Sequence, residues 1–202
     1  MDLQPAEQRR RRQREEARRT ILDAAEALLV RDGYNGFSMR RLADLCGYTT
    51  PTIYHHFGDK KGLTDALLDE RLRRLLRRMK RVPQGDDPVE NWRGQTLAFI
   101  RFGLKHPTHY QLLMTPRDAD EPLLPVAEEL IELLGRPFAA LQEAGRLMAD
   151  DAEGARQAVW AMVHGLISLQ NGLRDVEWSR TLDASAVALL ERGLIREAGA
   201  RA

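Results

Sequence analysis

Residues 38–63, SMRRLADLCGYTTPTIYHHFGDKKGL, hold two short apolar periods with a glycine between them, and no other stretch constrains the fold as tightly. Met39, Leu42, Ala43 and Cys46 are spaced i, i+3, i+4, i+7, which is one face of a helix. Ser38 stands where a side chain can cap the first N–H groups of that helix. Gly47 ends it, because glycine tolerates the left-handed backbone wanted just past a helix. Thr49 or Thr50 caps the next, very short helix, with Pro51 in its first turn where a missing N–H costs nothing. Ile53 and Phe57 form its inward face.

Helical periodicity extends in both directions from this pair. From Arg18, the residues Ile21, Leu22, Ala25, Leu28 and Leu29 follow it, and RDGYNG ends that helix. Asp59 caps a helix running to about Arg81, with Leu63, Leu67, Leu72, Leu75, Leu76 and Met79 on one side. Arg71, Arg74, Arg78 and Arg81 recur opposite the leucines and read as a solvated face, favoured near a helix C-terminus by the dipole. After the break VPQGDDP, helices are expected at about 88–105, 107–115, 124–148, 152–174 and 182–198, with TPRDADEPLLP as the conspicuous loop. No β-branched run alternates with polar residues, and no Asn-Gly or Asp-Gly hairpin joins two such runs. The expected class is all-α, about nine helices. Residues 1–62 make a three-helix helix-turn-helix domain with a basic N-terminal arm, and residues 63–202 a larger helical domain.

Several functions are excluded at this level. The single cysteine, Cys46, allows neither an intramolecular disulfide framework nor a Cys-rich metal site. No apolar run approaches the ~18 residues of a membrane span, and MDLQPAEQRRRRQREEARR has no apolar stretch behind its charges to act as a secretion signal. A soluble, cytoplasmic protein with no membrane partner is expected. The motifs G-x-S-x-G, H-E-x-x-H, G-x-G-x-x-G and the P-loop do not occur, and Cys46 falls on a core face, so no enzyme is expected. His55 and His56 project about 100° apart on a helix. Pro107 starts a new helix between His106 and His109 and is expected to part their rings, so neither a metal nor another cofactor is expected.

The net charge of +1 conceals a segregation. Residues 1–81 carry 19 Lys and Arg against 12 Asp and Glu, a balance of +7, while residues 82–202 carry 12 against 18, a balance of −6. A basic first part suits a polyanion. Two helices joined by a tight turn, with a third across them, make a helix-turn-helix unit, whose second helix enters the DNA major groove. With Ile53 and Phe57 inward, Thr50, Pro51, Thr52, Tyr54 and His55 remain on the outer side and leading end. These are short polar groups, an apolar ring that can touch a thymine methyl, and hydrogen-bonding aromatics, a set that suits phosphates and base edges. The basic RRRRQR at 9–14 is either an arm along the minor groove or phosphates, or a solvated tail.

In the second part, Trp92, Phe99, Phe102, Tyr110, Met114, Trp160 and His164 combine large apolar groups with a few polar ends. Such a mixture serves either as helical core or as a pocket for an apolar ligand with one or two polar anchors. The last two helices carry wide apolar faces, with Val159, Met162, Val163, Leu166, Ile167 and Leu173 on one and Val187, Leu190, Leu194 and Ile195 on the other. Such faces need a partner, which supports a dimer.

The segment YNGFSMRRLADLCGYTTPTIYHHFGDKKGL resembles the DNA-binding segment of the TetR (tetracycline-repressor-like) family of transcriptional regulators through G-F-S, R-R-L-A, C-G, T-I-Y-x-H-F and K-x-G-L. More weakly, FIRFGLKHPTHYQLLM and AVWAMVHGLISLQNG resemble the C-terminal domain of a subgroup named for a Trp-His-Gly signature, here Trp160, His164 and Gly165. The resemblance implies a homodimer that reads a palindromic operator in double-stranded DNA and pairs its last two helices in a four-helix bundle. It implies DNA contacts at Ser38, Arg40, Thr49, Thr50, Pro51, Thr52, Tyr54, His55, His56 and Lys60, and release by a small, largely apolar effector. A DNA-binding architectural protein without an effector is the alternative, since charge segregation alone would fit it.

Overall fold

The helical periodicity is realised almost throughout. The computed structural model describes residues 5–114, 122–148, 151–173 and 175–196. These form α1 (Pro5–Gly36), α2 (Met39–Cys46), α3 (Thr50–Phe57), α4 (Lys60–Met79), α5 (Pro88–Lys105), α6 (Pro107–Leu113), α7 (Pro125–Glu143), α8 (Ala152–Gly172) and α9 (Leu182–Leu194). The described residues fall into two compact units. One takes those up to Arg71 and those of 111–124, the other those of 72–110 and from Pro125 onward.

In the first unit α1 starts well before its apolar periodicity does. Residues 5–17 have no apolar face, yet most are strong helix formers (Ala, Glu, Gln and Arg). Arg11 Nε also reaches Glu15 Oε1 one turn on, at 2.8 Å. The basic stretch at 9–14 is therefore helical. Gly33, at φ 69°, breaks α1 inside RDGYNG, where the sequence places the stop. The core joins Ile21, Leu22, Ala25 and Leu28 of α1 to Leu42 of α2, Ile53 and Phe57 of α3, and Leu63 and Leu67 of α4. Each such large aliphatic side chain stabilises the unit by ~1.5–3 kcal/mol.

The solvated face expected of the α4 arginines fails at Arg71, which is 2% exposed. Its Nε donates to Glu26 Oε2 at 3.0 Å, Nη2 to Asp23 Oδ1 at 2.6 Å and Nη1 to Glu70 Oε1 at 2.7 Å. The reason lies in its register: Arg71 stands four residues from both Leu67 and Leu75, which are buried, so it occupies the inward row. Leu72, expected in that row, is only half-buried, while Arg74, Arg78 and Arg81 are exposed.

In the second unit α5 touches α7, α8 and α9. Trp92, Ile100, Leu141, Val159, Val163, Ile167 and Val187 form its core. At Gly103 a Cβ would stand 2.7 Å from Ile167 Cγ2, so α5 and α8 approach this closely only because glycine is there. Helix α7 stops short of the expected 148 because Gly145 turns left-handed at φ 64°. Leu147 then pairs with Ile195 in an isolated antiparallel bridge, with Met148 N donating to Leu194 O at 2.9 Å, and this extended pairing also ends α9 early. Most of the expected TPRDADEPLLP loop, residues 115–121, lies outside the described residues.

The rings of His106 and His109 are not parted but stacked, 5.4 Å between centroids at 14°. The His106 carbonyl accepts from Tyr110 N at 2.9 Å, so the helical turn already begins at His106 and both rings share its face. Among the described residues no three His, Cys, Asp or Glu converge as a metal site, and no helix is long and apolar enough to cross a membrane.

Candidate functional site

The cap chemistry of the helix-turn-helix is as its sequence suggests. Ser38 Oγ accepts from Arg41 N at 3.3 Å and starts α2, and Gly47, at φ 73°, closes it. Thr49 Oγ1 accepts from Thr52 N at 3.4 Å and lies 2.9 Å from Thr52 Oγ1, so these two hydroxyls share one cap. Asp59 Oδ1 accepts from Gly62 N at 2.7 Å. Gly62 itself answers to a close approach, since a Cβ there would lie 2.2 Å from the Phe57 carbonyl oxygen.

Ile53 and Phe57 anchor α3 in the core, which turns its other side outward. Pro51, Tyr54 and His55 are exposed, as are Thr49 just before α3 and Arg40 on α2. Ser38, Thr50, Thr52, His56 and Lys60 are half-buried. Lys60 Nζ donates to the Phe37 carbonyl at 3.2 Å and lies 5.5 Å from the Phe37 ring centre, so its ammonium also fastens the start of α4.

Helical extension of α1 brings basic residues beside α3. Arg14 Nη2 lies 3.4 Å from His55 Nε2, and the Arg18 guanidinium stands 4.9 Å from the centre of the Phe57 ring. Burial first, then the charges of His55, Arg14 and Arg18, hold the His56 imidazole below its ordinary pKa. Sequence reasoning missed Arg14 and Arg18 as neighbours of the recognition segment. Their i, i+4 spacing was the available signal, once residues 5–17 are read by helix propensity. The surface so assembled is a short exposed helix with a polar leading end, flanked by guanidinium groups, and it can present donors to phosphates and base edges together.

A cavity of about 80 Å³ lies in the second unit, between α5, α7 and α8. Of the predicted ligand residues, Trp92, Phe99, Trp160 and His164 line it. Tyr110 supports it from behind, its hydroxyl 2.7 Å from His164 Nδ1 and donating to the His164 carbonyl at 3.2 Å. Phe102 is buried against His106, 5.1 Å between ring centres, and Met114 belongs to the first unit. The His164 ring packs 4.8 Å from Trp160 and 5.3 Å from Phe99, and burial lowers its pKa. Gln95 and Thr96 were missed, although Trp92, Gln95, Thr96 and Phe99 follow i, i+3, i+4, i+7 and so share one face of α5. Arg156, also in the lining, is held by Glu153 through Nε at 2.8 Å and Nη2 at 2.5 Å.

Residues 21–67 match the family of bacterial regulatory proteins termed tetR, and residues 92–192 match the tetracyclin repressor-like C-terminal domain. The transcriptional repressor AcnR of Corynebacterium glutamicum is 39% identical over 59 residues, 29% of this chain and 31% of that protein. The class A tetracycline repressor of Escherichia coli is 36% identical over 82 residues, 41% of this chain and 36% of that protein. Each match thus spans about a third of the curated relative's length. Among solved structures, a TetR family transcription regulator from Marinobacter aquaeolei superposes with a TM-score of 0.73 at 18% identity, over 92% of this chain and 100% of the other, a likeness of fold.

Proposed function

The chain belongs to the tetracycline-repressor-like (TetR) family, and on that premise we propose that it is a homodimeric, sequence-specific DNA-binding regulator, a repressor released from a palindromic operator by a small, largely apolar effector. The observation that carries this reading is the outward side of α3. Core anchors at Ile53 and Phe57 leave Pro51 to solvent at the leading end of a capped helix, with Tyr54 and His55 exposed further along it and His55 beside Arg14. Residues 1–62 read the DNA through Ser38, Arg40, Thr49, Thr50, Pro51, Thr52, Tyr54, His55, His56 and Lys60. Residues 63–202 hold the effector and dimerise through α8 and α9. The regulator works in the cytoplasm, where its DNA is, and catalyses no reaction. The second half is of the Trp-His-Gly subgroup, a reading supported by the 4.8 Å packing of Trp160 on His164.

An effector in the cavity favours one position of α7, and Lys80, just past α4, is ion-paired to Glu129 of α7. A change in the tilt of α4 alters the spacing of the two recognition helices in the dimer, which must match half-sites about one DNA turn, or a multiple, apart. Coupling of ~1–3 kcal/mol weakens operator binding roughly 5–150-fold. The test is selection of genomic DNA fragments on the purified protein at about physiological salt, where phosphate-only binding is weak. One inverted repeat is the expected outcome. Equal retention of unrelated fragments, with a steep salt dependence, would instead support an architectural protein without an operator.

A further inference from the structure

We propose that the cavity between α5, α7 and α8 takes an uncharged, mostly apolar guest bearing one hydroxyl group, which accepts from Trp92 Nε1 and donates to Gln95 Oε1; this rests on the reading of the second unit as the effector-binding part. Trp92 is 1% exposed and Gln95 5%, and both line the cavity. Their Nε1 and Oε1 atoms are buried and have no hydrogen-bond partner among the described residues. Buried polar groups are nearly always paired, so two open ones, one helical turn apart on the same face of α5, mark a place where a guest completes the bonding.

Other polar groups of the lining have partners within the chain. Thr96 Oγ1 donates to the Trp92 carbonyl at 2.8 Å, Arg156 is held by Glu153, and His164 Nδ1 lies 2.7 Å from the Tyr110 hydroxyl. Unpaired charge is therefore absent from the described lining, and a charged guest would be buried without a counterion. A hydroxyl both donates and accepts, so it satisfies an indole N–H and either end of a carboxamide. The remaining walls, Phe99, Phe138, Val159 and Val163, are apolar. At about 80 Å³ the cavity is smaller than the ~150 Å³ that houses a benzene ring. A ring-sized guest must displace a wall, and Trp160, 57% exposed, is the most exposed large apolar side chain of the lining.

The test follows the Trp92 indole N–H resonance of the full chain, assigned by its loss in Trp92→Phe, during titration with phenol, toluene or benzoate. Phenol is expected to shift this resonance and to bind ~10-fold more tightly than toluene, with benzoate weakest. Gln95→Leu should erase the preference for phenol while retaining toluene. Equal binding of phenol and toluene would overturn the hydroxyl assignment and leave an apolar effector cavity standing. Preference for benzoate would overturn the claim of an uncharged guest. If no probe moves the resonance, water alone fills the space, and the hydroxyl assignment falls together with the effector role of this cavity.

Discussion

Arg71 Nε and Glu26 Oε2 meet 3.0 Å apart between α4 and α1, on residues 2% and 6% exposed. The other partners of Arg71, Asp23 and Glu70, are partly exposed. This pair pins α4 to α1 inside the first unit.

The pair also predicts an asymmetry between variants. Arg71→Met removes the guanidinium that faces the buried Glu26 carboxylate and is expected to cost ~3–5 kcal/mol. Glu26→Leu leaves Arg71 with two carboxylates near water and should cost clearly less. Combining the two should recover much of the Arg71→Met loss, because an apolar pair of similar volume often replaces a buried ion pair. Urea unfolding midpoints, at unchanged slope, measure all three. Equal losses for the two single variants would refute the asymmetry.

Much of this arrangement was legible in the sequence, because caps and inward rows leave local signatures. Ser38, Gly47, Thr49 and Asp59 each do in the structure what their position beside an apolar period suggests. The failures have physical causes as well. Apolar periodicity cannot find the first turns of α1, which rest on propensity and an i, i+4 ion pair rather than burial. Nor does an apolar count notice a charge in the inward row: Glu26 sits among Ala25, Leu22 and Leu29, and Arg71 between Leu67 and Leu75. Gln95 escaped for the same reason, as a polar residue on the apolar face of α5. Long-range pairing, such as Leu147 with Ile195, has no local signature at all.

Arg14 and Tyr54 should separate charge from reading once an operator is in hand. Arg14→Ala is expected to weaken all DNA alike and to flatten the slope of log K against log salt by about 0.9, one phosphate contact. Tyr54→Ala should leave that slope unchanged and lower operator affinity by ~10-fold. Because Tyr54 is 44% exposed, its unfolding free energy should shift by only about 0.5 kcal/mol. Filter binding across a salt series reads both effects, and an unchanged operator preference in Tyr54→Ala would remove that residue from the reading surface.

Acidification should destabilise the fold through its histidines before its carboxylates. Burial, aided at His56 and His106 by nearby positive charge, holds His56, His106 and His164 below the ordinary imidazole value of 6.5. The unfolded chain therefore binds more protons below that value. The stability these groups contribute is present above it and is lost as pH falls from 6.5 toward their folded pKa values. Glu153, held at about 2 chiefly by its hydrogen bond from Arg156, loses its contribution only in stronger acid. Unfolding midpoints should thus decline between pH about 7.5 and about 5.5, and a midpoint that rises over this interval would contradict the buried-imidazole account.

The proposed dimerisation through α8 and α9 makes the last prediction. Met162, Leu169 and Leu189 are 58%, 52% and 66% exposed in the single chain. Together with Leu166, Ala186 and Leu190, Met162 and Leu189 line an open apolar groove of about 510 Å³ between the two helices. A second copy related by a two-fold axis covers such a face with the same face, so every substitution acts twice. Leu189→Asp would bury two unpaired carboxylates, each costing ~3–5 kcal/mol. The dimer dissociation constant should then rise by at least ~10⁴-fold. Light scattering at micromolar protein should give the dimer mass for the parent chain and the monomer mass, 23.0 kDa, for Leu189→Asp. Helical content should be preserved, since Leu189 touches little within its own chain, while binding to a two-half-site operator should collapse. A Leu189→Asp protein that stays dimeric would move the interface away from α8 and α9.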